Sequence, residues 1–252
     1  MIYKRVAARL RAQDWLAITI EFAIVVAGVF VGTWVANMNQ ERIDAGETRQ
    51  MIRNLQPELS NNIAIFRAVE NYYAVTRRYS ATAFSGWRGD PAVTDRDFVI
   101  AAYQASQINY TAINGSSWAE AFGSDRLRTV RDRQLQRDIG QLMSIDYNAI
   151  EQELLTDYRE HVRQVIPEDI QDAIRAHCGD RRNAIGVNLL PARCSIDVAD
   201  NRFAQAASAL RARPELVGEL RWHIAAIASS VNNLQLLEDV TRRALNRIGS
   251  GS

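Results

Sequence analysis

Two cysteines, three histidines and one carboxylate set in an apolar run are the residues with most chemistry to offer. Cys178 and Cys194, 17 residues apart when both ends are counted, enclose Gly179, Gly186 and Pro191. In an oxidising compartment such a pair closes a disulfide, and loop-closure entropy gives it roughly 3 kcal/mol. A zinc site built on His177, Cys178 and Cys194 follows no ordinary ligand spacing and lacks a fourth ligand, so a disulfide is expected and no metal. Glu21 stands alone in a greasy stretch, where a carboxylate is costly unless protonated, paired or facing water. It is a candidate intramembrane acid, either carrying a proton or snorkelling toward the interface and pairing with Arg9 or Arg11. His161, His177 and His223 show no spacing that suggests a triad or a ligand set and read as surface or packing residues.

Motifs for catalysis are missing. The chain holds no G-x-S-x-G, no G-x-x-x-x-G-K-[ST] and no G-x-G-x-x-G. Glu151 and Glu153 point to different faces of a helix and read as solvated charge. Asn109-Tyr110-Thr111 and Asn114-Gly115-Ser116 match a glycosylation sequon, a pattern short enough to arise by chance. No enzymatic activity and no cofactor is expected. Thirty basic against 29 acidic residues give a net charge of +1, which leaves no electrostatic footprint for nucleic acid, and 47% hydrophobic content excludes a disordered chain.

The elements that must position these residues begin with a membrane span. Trp15 to Met38 is 24 residues with Glu21 as its one charge. As a helix it covers about 36 Å, against a hydrocarbon core of about 30 Å. The uncharged run from Phe22 to Gln40 is 19 residues, too long for the core of a cleaved signal peptide. Lys4, Arg5, Arg9 and Arg11 precede the span, while Arg42, Arg49 and Arg53 beyond it are matched by Glu41, Asp44 and Glu47. By the positive-inside rule residues 1–14 are a cytoplasmic basic segment, and Ile2, Val6 and Leu10 could lay it on the anionic bilayer surface. Trp15 and Trp34 mark the two interfaces. Gly28 and Gly32 form a small-x-x-x-small pair that permits close packing of span against span.

The segment LAITIEFAIVVAGVFVGTWVANMNQER resembles the N-terminus of a family of uncharacterised single-span inner-membrane proteins of proteobacteria. That family carries an acid followed by a run of the type FLIVVxGVFIGxxVxNxNE. Here the acid is Glu21, the glycines are Gly28 and Gly32, and the exit is Asn37, Asn39 and Glu41. A second stretch, Ser116 to Ile139, is similar to the family's recurrent Y-x-E-L, small-Gly, L-R-L-I-R-D pattern, with Trp118 in place of Tyr and Ser124-Asp125 after Gly123. The resemblance implies topology and a helical periplasmic part, and brings no activity with it.

Beyond the span, residues 39–248 read as an all-α periplasmic domain, a helical bundle. Ile52, Leu55, Leu59, Asn62, Phe66, Val69 and Tyr73 alternate steps of three and four, a heptad seam on a long helix. Pro57 should kink that helix or restart it. Ser85 to Pro91 is the clearest loop, and Thr94 should cap a helix reaching about Ser106. A turn at Ile113–Ser116 precedes a helix opening at Ser124 or Asp125, broken near Ser144 to Asp146 and ended or restarted at Pro167. The last helix begins at Pro214 on a seam of Leu220, Ile224, Ile227, Val231, Leu234, Thr241, Leu245 and Ile248. No strand alternation is visible, and Gly249–Ser252 reads as an appended linker. The expected function is that of a non-enzymatic scaffold or accessory subunit, associating with itself as a homo-oligomer or with a larger inner-membrane complex. The alternative is an ion-coupling subunit in which Glu21 works against a multi-span partner.

Overall fold

The computed structural model describes residues 15–109, 127, 130–145 and 152–250. Lys4, Arg5, Arg9 and Arg11, the turn at 113–116, the helix opening at 124–125, Glu151 and the last two residues lie outside them. The chain divides into two units after Ile52. It is mostly helical, with seven helices and one two-stranded hairpin among the described residues: α1 (Trp15–Trp87), α2 (Asp95–Gln104), α3 (Arg133–Met143), α4 (Asp157–Val165), α5 (Glu168–Cys178), β1 (Arg181–Arg182), β2 (Asn188–Leu189), α6 (Asp200–Arg211) and α7 (Glu215–Ser250).

Helix α1 passes through Pro57 without restarting. Proline cannot donate to the carbonyl of Arg53, but both residues are exposed, so that oxygen is open to water while the buried Leu55 and Leu59 keep the seam in register. Of the predicted seam Leu55, Leu59, Asn62, Phe66, Val69 and Tyr73 are buried, while its first position, Ile52, is half-buried. The helix also outlasts the predicted loop start at Ser85, ending at Trp87, where Gly89 (φ 72°) turns the chain. A Cβ at Gly86 would lie 2.1 Å from Cδ2 of Phe98, so only glycine lets α1 and α2 approach this closely.

Helix α2 is the hub of the second unit. Thr94 caps it, its hydroxyl accepting from the Asp97 amide, and the helix ends at Gln104, two residues short of expectation. Every residue from Phe98 to Gln104 is buried, as a helix apolar on all sides requires. Around it the core gathers Tyr158 and Val162 of α4, Ile170 and Ile174 of α5, Phe203, Ala207 and Leu210 of α6, and Leu216 and Leu220 of α7. Helix α6 went unpredicted, although Phe203, Ala206, Ala207 and Leu210 are spaced for one buried face.

Three further corrections concern local signals. Helix α3 starts at Arg133 because the Asp132 carboxylate accepts from the amides of Gln134 and Leu135. Between Cys178 and Cys194 the chain forms a hairpin, Arg181 opposite Leu189 and Arg182 opposite Asn188, where no strand was expected. Asn183 Oδ1 accepts from the amides of Ile185 and Val187, and Gly186 (φ 81°) closes the turn. On α7 the buried register is Leu216, Leu220, His223, Ile227, Ser230, Leu234, Leu237, Thr241, Ala244 and Ile248. The predicted positions 220, 227, 234, 241 and 248 belong to it, whereas Ile224, Val231 and Leu245 lie on its flank.

Candidate membrane anchor and buried polar centre

In the first unit the sequence-predicted site residues that are described, Glu21, Gly28 and Gly32, lie on α1. Ten large apolar side chains between Ile18 and Val35 are exposed, among them Phe22 (69%), Phe30 (71%) and Trp34 (64%). The segment is unburied and, by length and composition, long and apolar enough to cross a membrane. Leaving ten such side chains in water would cost on the order of 20 kcal/mol. Its hydroxyls are answered within the helix: Thr19 donates to the Trp15 carbonyl (2.7 Å) and Thr33 to that of Val29 (3.0 Å). Glu21 makes no hydrogen bond to another described residue. On a continuous helix Glu21, Gly28 and Gly32 share one face, being seven and four residues apart. Apart from the chain neighbours and the helix's own backbone, no atom of a described residue lies within 4 Å of where a Cβ would stand on Gly28 or Gly32. Packing inside the chain therefore does not require glycine at either position.

In the second unit the structure brings Cys178 and Cys194 to disulfide distance, with sulfurs 2.03 Å apart. The histidines stay apart. His177 is exposed and stands 3.0 Å from the Ala173 carbonyl, while Nδ1 of His161 is 2.9 Å from Glu219, which raises the pKa of that imidazole. His223 is buried, with Nδ1 2.7 Å from Thr156 Oγ1. Its pKa is pushed down to about 4, first by burial and then by the charge of Arg159. Thr156 precedes α4 and gives its hydroxyl to this contact instead of capping the helix. Of the aromatic residues, Tyr103 packs inward and Trp87 donates its indole N–H to the Leu210 carbonyl (3.0 Å); Tyr110 and Trp118 lie outside the described residues.

Sequence reasoning missed a polar centre at the C-terminal end of α2. Arg159 donates to the Ser106 carbonyl (2.6 Å), Arg163 to Ser106 Oγ (3.3 Å) and Gln107 Oε1 (3.1 Å), and the Arg163 guanidinium covers the Tyr103 ring at 4.6 Å. Two cations one turn apart on α4 thus answer acceptors at a helix C-terminus, where the dipole favours positive charge. Gln104 donates to the Cys178 carbonyl (2.8 Å), and Tyr72 of α1 donates to Asp180 (3.0 Å). Asp180 is exposed toward solvent, yet desolvation by the surrounding protein raises its pKa against the pull of the Tyr72 bond and of both arginines. The centre joins α1, α2, α4 and the disulfide loop, and its groups serve as mutual hydrogen-bond partners. Arginines one turn apart read as solvated charge in a sequence; only their tertiary position shows the clamp.

Comparison with protein-family models, with curated proteins and with solved structures finds no match.

Proposed function

We propose that this chain is a single-pass, membrane-anchored scaffold or accessory subunit without catalytic activity of its own. It sits in a bacterial inner membrane with residues 1–14 in the cytoplasm and its helical domain in the periplasm. The observation that carries this reading is the exposed apolar face of α1 from Ile18 to Val35. Two others support it. The bare surface at Gly28 and Gly32 offers a second helix close approach. The cysteine pair suits an oxidising compartment. The chain acts by association through its span and helical faces, with itself as a homo-oligomer or with a larger inner-membrane complex.

Membrane fractionation tests this reading directly. The full chain is expected in the membrane pellet after alkaline carbonate, with a reporter after Ile248 active only in the periplasm. Release into the carbonate supernatant, or a cytoplasmic reporter signal, contradicts it. One observation favours a second reading: Glu21, unbonded to any described residue, shares its face with the two glycines. That placement suits an ion-coupling subunit acting against a multi-span partner. Glu21→Gln would then abolish function while leaving assembly intact; a fully active variant removes this reading.

A further inference from the structure

A groove of about 650 Å³ opens in the second unit between α1, α2 and the segment Ala192–Ser195. Its size falls within the range of ligand clefts. The buried Ile100 and Ala101 contribute to its lining, together with Tyr79 of α1. The segment beside it is pinned on both sides. Tyr79 donates to the Pro191 carbonyl (2.8 Å), Arg96 donates to the carbonyls of Ile196 (2.8 Å) and Val198 (2.7 Å), and the disulfide holds Cys194. Between these pins no backbone N–H or C=O of Ala192, Arg193, Cys194 or Ser195 bonds to another described residue. A fixed main chain with unspent donors and acceptors beside a partly apolar groove is what an added peptide segment pairs with, and its fixity lowers the entropic cost of pairing.

Charge narrows the occupant. Arg193 lines the groove, is exposed, and has no hydrogen-bond or ionic partner among the described residues. Asp97 lines it from α2, with one carboxylate oxygen accepting from the Thr94 hydroxyl (2.6 Å). Opposite charges in one cleft that form no ion pair with each other match a ligand carrying both a carboxylate and an ammonium. We propose that this groove binds a short peptide with free termini, laid along Ala192–Ser195 with its carboxylate on Arg193 and its amino group at Asp97.

The test uses the full chain in detergent or nanodiscs, titrated calorimetrically with trialanine and with the same peptide acetylated and amidated. Trialanine is expected to bind saturably with a Kd below about 1 mM, and the blocked peptide at least about tenfold more weakly. Arg193→Gln and Asp97→Asn should each weaken trialanine at least about tenfold, with less effect on the blocked form. Both side chains are exposed, so unchanged thermal unfolding will show that the variants fold. Absence of saturable binding, equal binding of free and blocked peptides, or indifference to both substitutions would overturn the proposal.

Discussion

Acidification should destabilise the second unit through one buried imidazole. His223 has an ordinary value of 6.5 when the chain unfolds and about 4 in the folded protein, so the unfolded state binds its proton first. Stability from this group is complete above about pH 6.5 and is lost as the pH falls toward 4. At 1.36 kcal/mol for each pH unit of that window, the loss between about pH 7 and about pH 4.5 comes to about 2.5 kcal/mol. For a unit of this size that lowers Tm by about 5–10 °C. His161 works in the opposite sense: raised by Glu219, it adds stability at low pH that is lost as the pH rises through its folded value, and its exposure keeps this small. Other carboxylates also titrate in acid, so the assay compares the native chain with His223→Gln in detergent, following far-UV circular dichroism on heating across the pH range. Glutamine can still meet Thr156 but cannot take up the proton. The two Tm profiles should converge by about 5–10 °C as the pH falls from about 7 to about 4.5. Parallel profiles would refute the reasoning.

Gly86→Ala should destabilise by about 1–3 kcal/mol, because the added methyl meets Phe98 close to its backbone rather than at a movable tip; a denaturation midpoint unchanged from the native chain would contradict this. Replacing both Cys178 and Cys194 by serine frees the loop and should cost about 3 kcal/mol, or about 6–12 °C in Tm, with the same fall on adding reductant to the native chain. Arg159→Met should cost about 2 kcal/mol, since the methylene stem is kept while the Ser106 carbonyl loses its charged donor; limited proteolysis should then cut between Ser106 and Asn109 sooner than in the native chain.

The heptad seam of α1 was readable because its inward residues, from Leu55 to Tyr73, are nearly all apolar and helix spacing alone selects them. The seam of α7 was readable only in part. Polar His223 and Ser230 hold inward positions, and a pattern search for apolar residues slides onto Ile224 and Val231 instead. The hairpin at Arg181 and Leu189 has two-residue strands, too short to show alternation, and follows from closing the chain between the cysteines. The restart allowed for at Pro57 does not occur, and whether a helical proline breaks its helix depends on whether the carbonyl four residues earlier is open to water, which is a tertiary fact. The groove beside Ala192–Ser195 left no trace in the sequence, since it is made by segments more than a hundred residues apart in the chain, such as Tyr79 and Cys194. The exposed apolar face of α1 lay open from the start, because composition alone states it.

Association through the span is tested most directly by the mass of the particle extracted in mild detergent. The measurement is made on the native chain and on the double variant Gly28→Leu, Gly32→Leu, with each co-purifying protein quantified. A defined homo-oligomer or a stoichiometric membrane complex that falls to monomer in the variant is the predicted result. A monomeric native chain, or a particle of unchanged mass in the variant, would contradict it.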